Sequence, residues 1–107
     1  MAKITRFGDL QSWQKARQLT NAIYDLTGNP NFAKDYRLRD QIQSASGSTM
    51  HNIAEGFDAG SDAEFIRFLK IARRSASEVQ SQLYLALDRN HITEDERKRT
   101  DEKATEV

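Results

Sequence analysis

The most constraining feature of the chain is one long helical stripe. Phe65, Phe68, Leu69, Ala72, Ala76, Val79, Leu83 and Ala86 recur at intervals of three and four. At about 100° per residue, these positions share one face of an α-helix. Ser61-Asp62-Ala63-Glu64 stands directly before the run. It has the S-x-x-E form of a capping box, in which the serine and the glutamate each satisfy an orphan backbone N–H. Asn90, after Arg89, suits a helix C-terminus. The spacing therefore predicts a helix within about 61–90, of about 28 residues and roughly 42 Å. Ile66, Ile71, Leu85 and Leu87 lie off the stripe, so the helix is apolar over more than one face. Part of it is expected to pack between neighbours or against another subunit.

Two further helices precede it. One is expected over 9–28, with Asp9 as N-cap and Trp13, Ala16, Leu19, Thr20, Ile23, Leu26 and Thr27 on one arc. Gly28-Asn29-Pro30 ends it. The next is expected over 35–56, with a narrow stripe of Leu38, Ile42, Ala45, Thr49 and Ile53. Its middle, Ser44-Ala45-Ser46-Gly47-Ser48, is made of small residues that let two helix axes approach. Gly56 is read as its stop, and Asp58-Ala59-Gly60 as the turn. A fourth helix, over 93–105, is signalled by Thr93-Glu94-Asp95-Glu96. From Glu94 to Val107 the only apolar residues are Ala104 and Val107, so this helix is expected to fray or to lack a packing face. Long amphipathic helices joined by short loops favour an antiparallel up-down bundle. The fold class expected is thus all-α, a single four-helix-bundle domain over 1–107 with a short or weak fourth helix.

Composition excludes several classes. No apolar run approaches the roughly 18 residues of a membrane span. Met1-Ala2-Lys3-Ile4-Thr5 shows no secretory signal, and cysteine is absent, so neither a disulfide framework nor a thiolate metal site is expected. Sixteen basic residues balance sixteen acidic ones, and only 37% of the chain is hydrophobic. A chain this short and polar is expected to be cytoplasmic and to complete its core with a partner or with copies of itself.

No constellation points to catalysis. There is no Cys nucleophile, no Gly-x-Ser-x-Gly elbow and no phosphate-binding loop ending in Lys-Ser/Thr. His51 and Glu55 are four apart and share a face, but two ligands do not make a metal site. Asp58, Asp62 and Glu64 cluster around a turn, where capping and solubility account for them. His91 falls in a loop. The expectation is no enzyme, no cofactor, no metal and no small-molecule substrate. Phe7, Phe32 and Tyr36 lie near helix ends, where they are expected to close the bundle.

The basic residues carry the remaining signal. Arg67, Lys70 and Arg74, at i, i+3 and i+7, share an outer face of the third long helix, with Arg73 beside them. Lys34 and Arg37 stand at the start of the second. A nucleic-acid binder usually has a basic excess or a basic stripe. This chain has only local patches, although copies in an oligomer would add their fields.

Several blocks together resemble a known family. They are Phe7-Gly8-Asp9-Leu10 with Trp13-Gln14-Lys15-Ala16, Leu38-Arg39-Asp40-Gln41-Ile42, Ser48 with Asn52-Ile53-Ala54-Glu55-Gly56, Glu64 through Ala72, and Ser75-Ala76-Ser77-Glu78. In this order and spacing, over about residues 7–92, they are similar to the proteins encoded in 23S rRNA intervening sequences. The accessory proteins of diversity-generating retroelements have the same kind of fold. The resemblance implies an antiparallel four-helix protomer and a ring-shaped homopentamer. For the retroelement relatives it implies binding to nucleic acid and to a reverse transcriptase through a basic surface. For the intervening-sequence proteins it implies a genetic location rather than an activity. The chain departs from the pattern at Arg74, where the family has Gly, at His51, where a small residue is expected, and at its short last helix. Arginine at 74 is expected to add bulk where helices approach closely, and a short last helix to leave part of the bundle groove open.

The expected function is a non-catalytic oligomeric scaffold that engages structured RNA or a ribonucleoprotein. Arg67, Lys70, Arg73 and Arg74 are the phosphate-contacting candidates, with Lys34 and Arg37 secondary. Asn52 and Glu55 are assigned structural polar contacts between helices, and Gly56 helix termination. The alternative is a protein-interaction scaffold whose groove takes a partner helix, with no nucleic-acid role.

Overall fold

The computed structural model describes residues 3–107. The reading of the N-terminus includes Met1 and Ala2, which lie outside them. A 3-10 turn at Phe7–Asp9 leads into α1 (Gln11–Thr27), α2 (Pro30–Lys34), α3 (Tyr36–Asp58), α4 (Asp62–Asp88) and α5 (Glu94–Thr105). No strand occurs among the described residues. The fold is an all-α antiparallel up-down bundle of α1, α3, α4 and α5, 46 Å in its longest dimension. α3 packs on both α1 and α4, and α5 closes the circuit between α4 and α1.

The core follows the stripes. α1 buries Ala16, Leu19, Ile23, Leu26 and Thr27. α3 buries Leu38, Ile42, Ala45, Ser46, Thr49, Ile53 and Gly56. α4 buries Ala72, Ala76, Val79, Leu83 and Ala86. The small residues of α3 satisfy their hydroxyls locally: Thr49 donates to the Ser46 carbonyl at 2.6 Å, and Ser46 to that of Gln43 at 3.0 Å. Thr20 of α1 donates to the same Ser46 carbonyl across the interface at 2.9 Å.

Several local expectations are corrected. Asp9 does not cap α1; it lies in the 3-10 turn, and α1 starts after the extended residue Leu10, which provides no side-chain cap. The offset lets the Phe7 ring meet Trp13 edge-on at 5.2 Å, while the Gln14 amide reaches back to the Gly8 carbonyl at 3.0 Å. Pro30 does not merely end α1. It opens the one-turn helix α2, where its fixed φ suits the first position and its missing N–H costs nothing. That turn drives Phe32 fully into the core. Tyr36 does not close the bundle: it is 65% exposed, with the Arg39 guanidinium 5.0 Å from its ring centre. Gly56 does not end α3, which runs on to Asp58; the positive φ of the turn belongs to Gly60.

The largest correction concerns α5. It is a formed helix with a packing face, made of Arg97, Thr100 and Ala104. Its N-terminus carries a complete capping box: the Glu96 N–H donates to Thr93 Oγ1 at 3.1 Å, and the Thr93 N–H to Glu96 Oε1 at 2.9 Å. Arg97 is 8% exposed. Its guanidinium forks onto Glu94 at 2.9 and 2.8 Å and lies 4.5 Å from the Tyr84 ring centre. The aliphatic stem does the covering that a leucine would otherwise do, and the charge reaches a carboxylate at the edge. Those hydrogen bonds hold the Glu94 carboxyl below its ordinary range and raise the Arg97 guanidinium. Thr100 returns its hydroxyl proton to the Glu96 carbonyl at 2.8 Å, which leaves its methyl for packing.

Candidate nucleic-acid interface

The buried face of α4 fixes where its cations stand. Ala72, Ala76, Val79, Leu83 and Ala86 point inward, so Arg67, Lys70 and Arg74 occupy the opposite, exposed side. With Arg73 they line one shallow depression. The four side chains are not equivalent. Arg67 is paired with Glu64, Nη2 to Oε2 at 3.0 Å, and lies 4.6 Å over the Phe68 ring. That hydrogen-bonded pair lowers the pKa of Glu64 and raises that of Arg67. Because Glu64 turns to Arg67, only half of the expected capping box forms: Ser61 Oγ accepts from the Glu64 N–H at 3.2 Å. Arg73 leans towards α5 and donates to the Ala104 carbonyl at 3.4 Å. Lys70 and Arg74 have no carboxylate within ion-pair distance among the described residues. They are the two free charges of the depression.

Lys34 and Arg37 are not part of this group. Lys34 ends α2, and Arg37 lies in the first turn of α3, at the opposite end of the bundle. There Arg37 borders a second depression with Asp35, Leu38, Gln41, Leu85 and Arg89. Between the two basic regions, Asp40, Gln41, Ser44, Glu78 and Gln82 line an acidic and polar groove.

The Asn52, Glu55 and Gly56 block builds the α3–α4 contact unevenly. A Cβ on Gly56 would stand 2.5 Å from the Phe68 Cβ and 3.2 Å from Phe65 Cδ1. The glycine is there because α4 passes too close for any side chain. Phe65 in turn meets Phe57 edge-on at 5.9 Å. Asn52 donates to the Ser48 carbonyl at 2.8 Å and to Ser48 Oγ at 2.9 Å, within α3. The crossing to α4 is made by Ser48, 3.0 Å from Ser75 Oγ. Glu55 is exposed and joins no other helix among the described residues. His51 is exposed as well, and no group of three His, Cys, Asp or Glu is placed to hold a metal ion among the described residues. No described helix is long and apolar enough to cross a membrane.

A family model described as 23S rRNA-intervening sequence protein matches residues 8–107. The chain belongs to this family. No curated protein and no solved structure matches it. In this intervening-sequence protein the departure at Arg74 falls on the exposed side of α4, so its bulk meets no helix of the protomer. The close approach is made at Gly56 instead.

Sequence reasoning leaves Arg89 without a role and places His91 in a loop. Arg89 follows α4 and joins Arg37 only through the packing of α3 on α4. His91, read as a loop residue, locks the α4–α5 turn. Its Nε2 lies 2.9 Å from Asp35 Oδ2, its ring stacks on Phe32 at 5.1 Å, and its carbonyl accepts from Asn29 Nδ2 at 3.3 Å. Asp35 also caps α3 by accepting from the Leu38 N–H at 3.3 Å. The hydrogen bond to His91, then that from Leu38, hold its carboxyl below the ordinary range. Asp35 and His91 lie 56 residues apart, so no local pattern could have paired them.

Proposed function

We propose that this 23S rRNA intervening-sequence protein is a non-catalytic, cytoplasmic, homo-oligomeric scaffold that binds structured RNA or a ribonucleoprotein through the outer face of α4. The observation that carries the reading is the shared depression of Arg67, Lys70, Arg73 and Arg74, with Lys70 and Arg74 unpaired among the described residues. Cations so placed neutralise phosphates and release counterions, a term that needs no base-specific contact. Ile66 and Leu85, about half exposed on α4, support assembly with further copies, and the resemblance favours a pentamer. The reading of a scaffold for a partner helix keeps those exposed residues as its support. Its groove is narrowed, because α5 fills the space between α1 and α4 along 12 residues, against the 27 of α4.

The test is the triple change Arg67→Ala, Lys70→Ala and Arg74→Ala. It is expected to weaken binding to an RNA stem-loop and to flatten its salt dependence by about 1 per phosphate contact removed. Helix content is expected to stay unchanged, since all three side chains are exposed. Undiminished affinity in the triple variant would mean that this surface is not the one used.

A further inference from the structure

Arg67, Arg74, Glu78 and Leu85 of α4, and Arg89 at its C-cap, succeed one another at intervals of seven, four, seven and four. Such intervals keep them on one strip of the helix surface. α3 completes the strip from the side: Arg37 stands with Leu85 and Arg89, and Asp40 with Glu78. Gln41 borders both depressions, so the two regions are contiguous. The face therefore reads basic, acidic, basic from one end to the other. From Lys70 to Arg89 the distance along the axis is roughly 28 Å at about 1.5 Å per residue. Arg37 and Arg89 have no ion-pair partner among the described residues. The Asp35 carboxylate nearby is already bonded to His91 and to the Leu38 N–H.

We infer that the α3–α4 face holds two separate phosphate-contact points, Arg67/Lys70/Arg74 and Arg37/Arg89, and that it takes base-paired RNA rather than an unpaired strand. The inference rests on the RNA reading above and adds the second contact point and the class of RNA. An unpaired strand is bound by a continuous basic track with aromatic side chains for its bases to stack on. Here the track is broken by Glu78, which has no ion-pair partner among the described residues and would repel a backbone lying along it, and by Asp40, whose charge is shared with Arg39 at 2.9 Å. No aromatic side chain lines any of the three depressions. A duplex is stiff, presents its phosphates in fixed ridges, and is recognised by shape and backbone contacts. It can rest on both basic ends and pass over the acidic interval without touching it.

The experiment compares a stem-loop RNA with an unpaired RNA of equal length, by equilibrium binding to the full chain across a salt series. The Arg37→Ala, Arg89→Ala double variant is expected to lose stem-loop affinity several-fold, and its salt slope to fall by about 2, or about 1 per contact. The wild-type protein is expected to prefer the stem-loop. A Glu78→Ala variant, which removes charge from the interval, is expected to raise affinity for the unpaired strand more than for the stem-loop. Equal affinity for both RNAs, or an unchanged slope in the double variant, would overturn the inference while leaving the α4 surface in place. Binding of neither RNA would overturn the α4 reading and the inference with it.

Discussion

The α3–α4 pair and α5 are held by opposite means. α3 and α4 meet through the absence of side chain: Gly56 under Phe68, Ser48 against Ser75, Ala45 and Ala76 in the core. α5 meets the same bundle through Ala104 and through polar side chains used for their carbon, the stem of Arg97 and the methyl of Thr100. Close approach gives many small contacts and leaves no slack for added atoms. Polar packing leaves slack, and depends on a cap, on a hydrogen bond from Gln80 to Thr105 at 3.1 Å and on an ion pair of Lys15 with Glu106 at 3.2 Å. The basic surface is built on the stiff pair. One hydrogen bond, from Arg73 to the Ala104 carbonyl, joins that surface to α5.

The sharpest way to break this comparison is to add atoms at the close approach. Gly56→Val puts a Cβ 2.5 Å from Phe68 Cβ, an atom fixed to the α4 backbone. We expect a loss of about 3 kcal/mol in urea unfolding, at the upper end of overpacking costs. A loss below that of an ordinary surface change would show that the helices can slide apart. On the α5 side, Arg97→Ala should raise hydrogen exchange across residues 94–105, and Arg97→Met should raise it less, because methionine keeps most of the stem. Equal effects of the two would mean that the pair with Glu94, not the stem, holds the helix. Thr93→Ala removes one half of the capping box and is expected to cost about 1 kcal/mol, seen mainly in α5.

The smallest effect separates the two regions by pH. Asp35 at the start of α3 and Glu94 at the start of α5 both titrate below their ordinary values. A lowered carboxylate contributes stability that is complete above its unfolded pKa, about 3.9 for Asp and 4.3 for Glu. That contribution is lost as pH falls through the lower folded value. Asp35→Asn should therefore reduce the acid dependence of unfolding and also free the His91 turn. An unchanged acid limb in Asp35→Asn would remove this carboxylate from the account.

How much of this was legible in the sequence follows from the physics of each contact. The stripes of α1, α3 and α4 are apolar at helical spacing, so periodicity placed them to within a few residues. Gly56 was misread because a glycine near a helix end also suits a stop. Only the position of Phe68 shows the other reason for it. The face of α5 was invisible because Arg97 and Thr100 count as polar, although their carbon is what packs. The grouping of Arg67, Lys70, Arg73 and Arg74 could be read from spacing within one helix. The partnership of Arg37 with Arg89 could not, since it requires α3 laid against α4. Spacing allows the i,i+3 pair of Arg67 with Glu64, but it could not tell that Arg73 reaches the Ala104 carbonyl or that Lys70 and Arg74 have no ion-pair partner among the described residues.

The most direct test of the central claim is binding of the wild-type protein to structured 23S rRNA fragments and to an unrelated hairpin, across a salt series. Oligomer mass is read in the same buffers. The account predicts affinity from an assembled oligomer that falls steeply as salt rises, the mark of counterion release at phosphates. Absence of binding at low salt, from an intact oligomer, would contradict it and turn the search towards protein partners.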